Sequence, residues 1–176
     1  LNSLLFLVIL VSFSSLISAN LLELNEKTLQ EHNNYRNLHG THVLQLDENL
    51  IELAKKDAES YALTGVSNSV VYKGVTLGKN IGIFKGYRTS PTGIYFLSLS
   101  LSLSFQEIIV LFFITYKGSS ITSLWYETGK NFNYNVNDFQ NAGSFTQVVW
   151  QGSYYFGLGE YQIGSNVYVV GLYYPP

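Results

Sequence analysis

The 176-residue chain contains no cysteine. It can form no disulfide and offers no thiolate to a metal or a substrate, so its stability must come from a buried apolar core. The chain is long enough for that, and 47% of its residues are hydrophobic. Charge is scarce as well. Ten Lys and Arg against twelve Asp and Glu leave a net charge of -2, with no basic run, so no nucleic-acid partner is expected. No Asn-X-Ser/Thr triplet occurs, and N-glycosylation is not expected. There is no nucleophile elbow and no paired-histidine metalloprotease motif. Gly78-Lys79-Asn80-Ile81-Gly82 contains two glycines but lacks the spacing and the trailing Ser or Thr of a phosphate loop.

Histidine is equally sparse. His32, His39 and His42 are the three in the chain. His32 and His39 fall on one helical face two turns apart, and His39 and His42 have no third ligand nearby in sequence, so this group does not make a zinc site.

At the N-terminus, Leu4 to Ile17 is apolar and uncharged and is followed by the small residues Ser18-Ala19. Residues 1–19 therefore read as a secretory signal peptide, truncated at its start because neither Met nor a basic segment precedes the apolar run. The rival reading is a membrane anchor, for which the run is short. The expected product is secreted, and residues 20–176 have the size of a single domain.

Local signals then divide this domain. Thr28 with Glu31 three residues later has capping-box spacing, which predicts a helix from there to about Leu38, stopped by Gly40. Asp47 is the expected N-cap of a second helix, with Leu50, Leu53, Ala54, Ala58, Tyr61 and Ala62 at helical spacing and Gly65 as its stop. A short third helix is expected near Trp125. Phe145, Gln147 and Val149 alternate with Thr146, Val148 and Trp150, which predicts a strand over Gly143–Trp150. The Tyr- and Val-rich runs Tyr154–Tyr161 and Asn166–Tyr174 would complete a three-stranded antiparallel meander, with Gly152 and Gly164-Ser165 as turns. Helices followed by a late meander define an α+β class.

One segment fits none of this. From about 93 to 118 the chain runs through the two-letter repeat Leu97-Ser98-Leu99-Ser100-Leu101-Ser102-Leu103-Ser104 and the apolar stretch Ile108 to Ile114. The reading adopted is translated intron, because a pyrimidine-rich repeat reads out as alternating Leu and Ser. A surface insertion and a membrane span with Glu107 near its middle are the alternatives.

Four blocks resemble the CAP superfamily of cysteine-rich secretory, antigen 5 and pathogenesis-related 1 proteins, also called the SCP domain. They are His32-Asn33-Asn34-Tyr35-Arg36 with His39-Gly40, then Leu46-Asp47-Glu48-Asn49-Leu50, then Trp125-Tyr126 with Phe132-Asn133-Tyr134, and lastly Gly143 to Trp150 with the terminal Tyr173-Tyr174-Pro175-Pro176. The absence of cysteine is similar to the Golgi-associated pathogenesis-related branch. The resemblance implies a three-layer α-β-α sandwich with a central antiparallel sheet, and it implies that His32, Asn33, Arg36, Trp125, Tyr126 and Trp150 determine the fold.

It also implies a cleft in which many members hold a divalent metal with two His and two Glu. Position by position, this sequence departs from that set. Ser144 and Asn68 stand where the histidines would be, Lys79 stands for one Glu and Thr128 for the other, with Glu127 beside it. One carboxylate without an imidazole is a poor zinc ligand set, and Lys79 is expected to repel a cation or to pair with Glu127. No metal and no cofactor are therefore expected. The implied function is non-enzymatic binding of a protein partner or of a sterol or fatty acid; the 15% aromatic content is compatible with an apolar groove and equally with a Tyr-rich sheet packed against helices. The alternatives are a metal-dependent or hydrolytic member of the family and a membrane-anchored one.

Overall fold

The computed structural model describes residues 21–85, 121–133 and 139–176. The expected signal peptide at 1–19 and the segment at about 93–118 lie outside the described residues.

Helix α1 occupies 21–38. Thr28 lies inside it, and its hydroxyl donates to the Leu24 carbonyl one turn back at 2.8 Å. The capping box at Thr28 and Glu31 is thus corrected: the helix starts earlier, and the spacing that marks a cap also occurs in a helix interior. Gly40 adopts φ 64 just beyond the helix, as a stop requires. The buried stripe of α1 is unusual in being polar, with Asn25, Thr28, His32 and Arg36 all buried. Such groups need partners inside the protein.

Helix α2, Glu48–Thr64, matches its predicted limits. The Asp47 side chain accepts from the Asn49 amide, and Gly65 closes the helix at φ 71 with its N–H on the Tyr61 carbonyl. Leu50, Ile51, Ala54 and Ala58 are buried, whereas Lys55, Lys56 and Glu59 face solvent.

The sheet has the order β1-β5-β6-β4, built from β1 (Gln45–Leu46), β4 (Gly78–Phe84), β5 (Tyr155–Ile163) and β6 (Asn166–Tyr174). β6 pairs antiparallel with both β4 and β5, while β1 runs parallel to β5. The sheet is therefore mixed. A separate hairpin joins β2 (Val71–Tyr72) to β3 (Val75–Thr76). Helix α3 is Ile121–Glu127.

Gly143–Trp150 is a correction as well: most of it belongs to helix α4, Phe139–Val148, which is kinked at Ala142. Among its described side chains, Ala142, Phe145 and Val148 are the buried ones. They recur every three residues and so fit a helix as readily as the two-residue alternation fits a strand. The expected meander is consequently a two-stranded hairpin, β5–β6, extended by β4.

Alternation along β6 divides the core between the two faces of the sheet. Val167, Val169 and Tyr173 pack with Leu24 of α1 and with Ile121 and Trp125 of α3. Val170 and Leu172 pack with Leu50, Ala54 and Ala58 of α2. Helices thus cover both faces, in three layers of an α+β fold. Glycine sets the separation on the α2 side. A Cβ at Gly157 would lie 2.3 Å from the Ile51 nitrogen, and one at Gly159 would lie 2.1 Å from the Lys55 nitrogen.

Candidate functional site

The polar stripe of α1 reaches its partners across the molecule. Arg36 Nε donates to the His42 carbonyl at 2.7 Å, Nη1 to the carbonyls of Val148 and Trp150 at 3.1 and 2.9 Å, and Nη2 to that of Ser153 at 3.0 Å. Burial lowers its pKa to about 10, which still leaves it a cation at neutral pH. Asn33 and Asn25 use their amides as peptide groups do. Asn33 bonds both the N–H and the C=O of Leu44, and Asn25 does the same for Leu158 of β5.

His32 is wholly buried. Its Nδ1 lies 2.8 Å from the Thr28 carbonyl and 3.0 Å from Thr122 Oγ1. A carbonyl can only accept, so Nδ1 carries the proton and Nε2 accepts from the Tyr173 hydroxyl at 2.8 Å. The same hydroxyl oxygen accepts from Asn80 Nδ2 at 3.2 Å, and that amide nitrogen also donates to the Ser144 carbonyl at 3.0 Å. Burial pulls the His32 pKa down to about 4, with Arg36 pushing the same way against the opposing Thr28 bond. Burial raises that of Tyr173. Both are neutral at physiological pH.

Trp125 is buried and donates its indole N–H to the Ile81 carbonyl at 3.0 Å. Tyr126 stacks on Tyr35 with ring centroids 3.8 Å apart. Trp150, in contrast, is 44% exposed and its indole N–H donates to the Pro176 carbonyl, while its backbone oxygen accepts from Arg36.

The cleft positions named from the sequence fall into separate groups. Lys79 Nζ lies 2.5 Å from Asp57 Oδ2 of α2 in an ion pair and also bonds the Asn68 carbonyl and, at 3.3 Å, Ser67 Oγ. Glu127 instead pairs with Lys130 three residues on. The expected Lys79–Glu127 pair is thus corrected: Lys79 pairs inward with α2. Asp57 went unnoticed in the sequence, although a carboxylate on the buried face of α2 beside Ala54 and Ala58 signals a buried cation. Thr128 Oγ1 donates to the Trp125 carbonyl and accepts from the Phe145 amide at 3.0 Å. Ser144 contributes its carbonyl to Asn80.

Among the described residues, no group of three or more His, Cys, Asp and Glu could hold a metal ion. The donors that are present do not fit one. The Lys79 ammonium engages the Asn68 carbonyl and the Asp57 carboxylate, the groups that a cation beside it would need.

A cleft of about 240 Å³ opens nearby, lined by His39, Tyr126, Glu127, Gly129, Lys130 and Phe145. His39 Nε2 is 2.9 Å from the Tyr126 hydroxyl. His39, Tyr126 and Phe145 pack edge to face at centroid separations of 5.4 to 5.7 Å, which makes them a continuous aromatic wall. The wall depends on Gly129, where a Cβ would come within 2.2 Å of the Phe145 ring.

Residues 29–174 match the profile of CAP, the cysteine-rich secretory protein family. The chain belongs to that family. Among solved structures it is similar to MpPR-1i soaked with selenourea, at 18% identity and a TM-score of 0.55, covering 86% of this chain and 90% of the other. It is similar to BmVAL-1 at 15% identity and a TM-score of 0.54, with 86% and 76% covered. A hookworm platelet inhibitor aligns at 15% identity and a TM-score of 0.51, with 86% and 68% covered. At these identities the likeness concerns the fold. No curated protein sequence matches the chain.

Proposed function

We propose that this CAP domain is a secreted protein that acts by binding a partner, without metal-dependent or hydrolytic chemistry. The observation that carries this reading is the inward ion pair of Lys79 with Asp57. The resemblance would put a metal-binding carboxylate at that position, and here an ammonium is held by α2 and by the loop at Ser67 and Asn68. A cation placed there would meet a like charge and compete with a bond already made.

The cleft beside Tyr126, of about 240 Å³, supports a protein partner. It suits one apolar side chain set against the aromatic wall, with the Glu127–Lys130 pair at its rim. Anchoring by single buried side chains is how protein interfaces concentrate their binding energy. Secretion rests on the apolar run Leu4 to Ile17. Among the described residues no helix is long and apolar enough to cross a membrane.

Isothermal titration of the purified chain with zinc tests the central point. The expected result is no stoichiometric binding. A one-to-one site abolished by Glu127→Ala would overturn the reading.

A further inference from the structure

We propose that protonation of His32 is transmitted through Tyr173 and Asn80 to α4, where it releases the Ser144 carbonyl and loosens the cleft wall that carries Phe145. The chain of donors runs in one direction only. Asn80 donates to Tyr173, Tyr173 donates to His32 Nε2, and His32 Nδ1 donates to the Thr28 carbonyl. A proton on Nε2 turns that nitrogen into a donor, and the tyrosine oxygen must then accept from it. The phenolic hydrogen is left pointing at the Asn80 NH2, which cannot accept.

The amide can turn its oxygen toward Tyr173, and the cost of doing so reaches α4. Asn80 Nδ2 also holds the Ser144 carbonyl at 3.0 Å, and a flipped amide would set oxygen against oxygen there. Accommodating the proton therefore breaks the bond between β4 and α4. Ser144 precedes Phe145, whose amide is held by Thr128 and whose ring walls the cleft.

Among the described residues in contact with His32, none carries a negative charge that would absorb the proton locally. Arg36, one turn along α1, carries the same sign and opposes protonation. Tyr173 of β6, Thr122 and Trp125 of α3 and Phe156 of β5 face it as uncharged groups, with Asn80 of β4 behind Tyr173. The coupling stands whether or not the cleft is the partner site, because its readout is the protein's own amides and needs no ligand.

The test is a pH titration of the isotope-labelled full chain by NMR, following the His32 imidazole and the backbone amides of Gly143 to Gln147. These amides are expected to shift with the His32 midpoint while those of the β2–β3 hairpin do not. In Tyr173→Phe, which removes the hydroxyl that links the two groups, the α4 amides are expected to stop following the His32 titration. Should that variant fail to fold, Asn80→Ala is expected to leave the His32 titration visible and the α4 amides flat. The proposal is overturned by α4 amides with no inflection at the His32 midpoint. An inflection that persists in the variant, or one shared by every amide in the chain, overturns it equally.

Discussion

Lys79 and Asp57 form an ion pair that ties β4 to α2. With their side chains 13% and 6% exposed, the two ions have given up most of their hydration and depend on each other. Removing one partner of such a pair costs about 3 to 5 kcal/mol, because the remaining charge is left buried and uncompensated. Lys79→Met is expected to fall within that range, since the carboxylate it leaves behind, Asp57, is only 6% exposed. Adding Asp57→Asn in the same chain should restore most of the loss. Urea denaturation of the two single variants and the double variant measures this directly, and additive losses would mean that the pair is not coupled. The sequence made the lysine conspicuous and hid its partner, because a contact between β4 and α2 leaves no local trace beyond one acidic residue on an apolar face.

Elements differed in legibility for a similar reason. α2 could be read to the residue because its cap, its apolar stripe and its stop are all local signals. β5 and β6 were legible from their Tyr and Val content. α4 was not, because Phe145, Gln147 and Val149 satisfy a two-residue period while Ala142, Phe145 and Val148 satisfy a helical one, and tertiary burial decides between them. The two-residue β1 and its parallel pairing with β5 have no sequence signature at all. The packing of α2 on β5 makes a prediction at this scale. Gly159→Ala would drive a methyl group into helix backbone that has no rotamer with which to yield. A loss of about 1 to 3 kcal/mol is expected, seen as a lowered thermal midpoint. Gly164→Ala, in an open turn, should lose less, by strain at its φ of 59 alone.

For the whole molecule, the buried histidine ties folding to acidity. Its pKa is lowered to about 4 in the folded chain from 6.5, so between these values the unfolded chain binds more protons than the folded one. Stability from this group is complete above about pH 6.5 and is lost as pH falls toward 4, by about 3 kcal/mol in total. The expected observation is a gap between the chain and His32→Gln in denaturation free energy, closing across that window. A gap that does not change with pH would mean that His32 contributes packing alone. The fold class and the family were legible in the scattered blocks of the sequence, since these map onto α1, α2, α3, α4 and the β5–β6 hairpin. The wiring among the blocks was not, because it is made of carbonyls that any residue could supply.

That wiring dictates an order of events at the ribosome. The guanidinium of Arg36 closes on oxygens of Val148, Trp150 and Ser153, more than a hundred positions downstream. A nascent chain that has emerged only through α2 holds a buried-type cation with most of its acceptors still unsynthesised. The packing of α1 is therefore expected to be completed only once residues 148–153 are available to supply those oxygens.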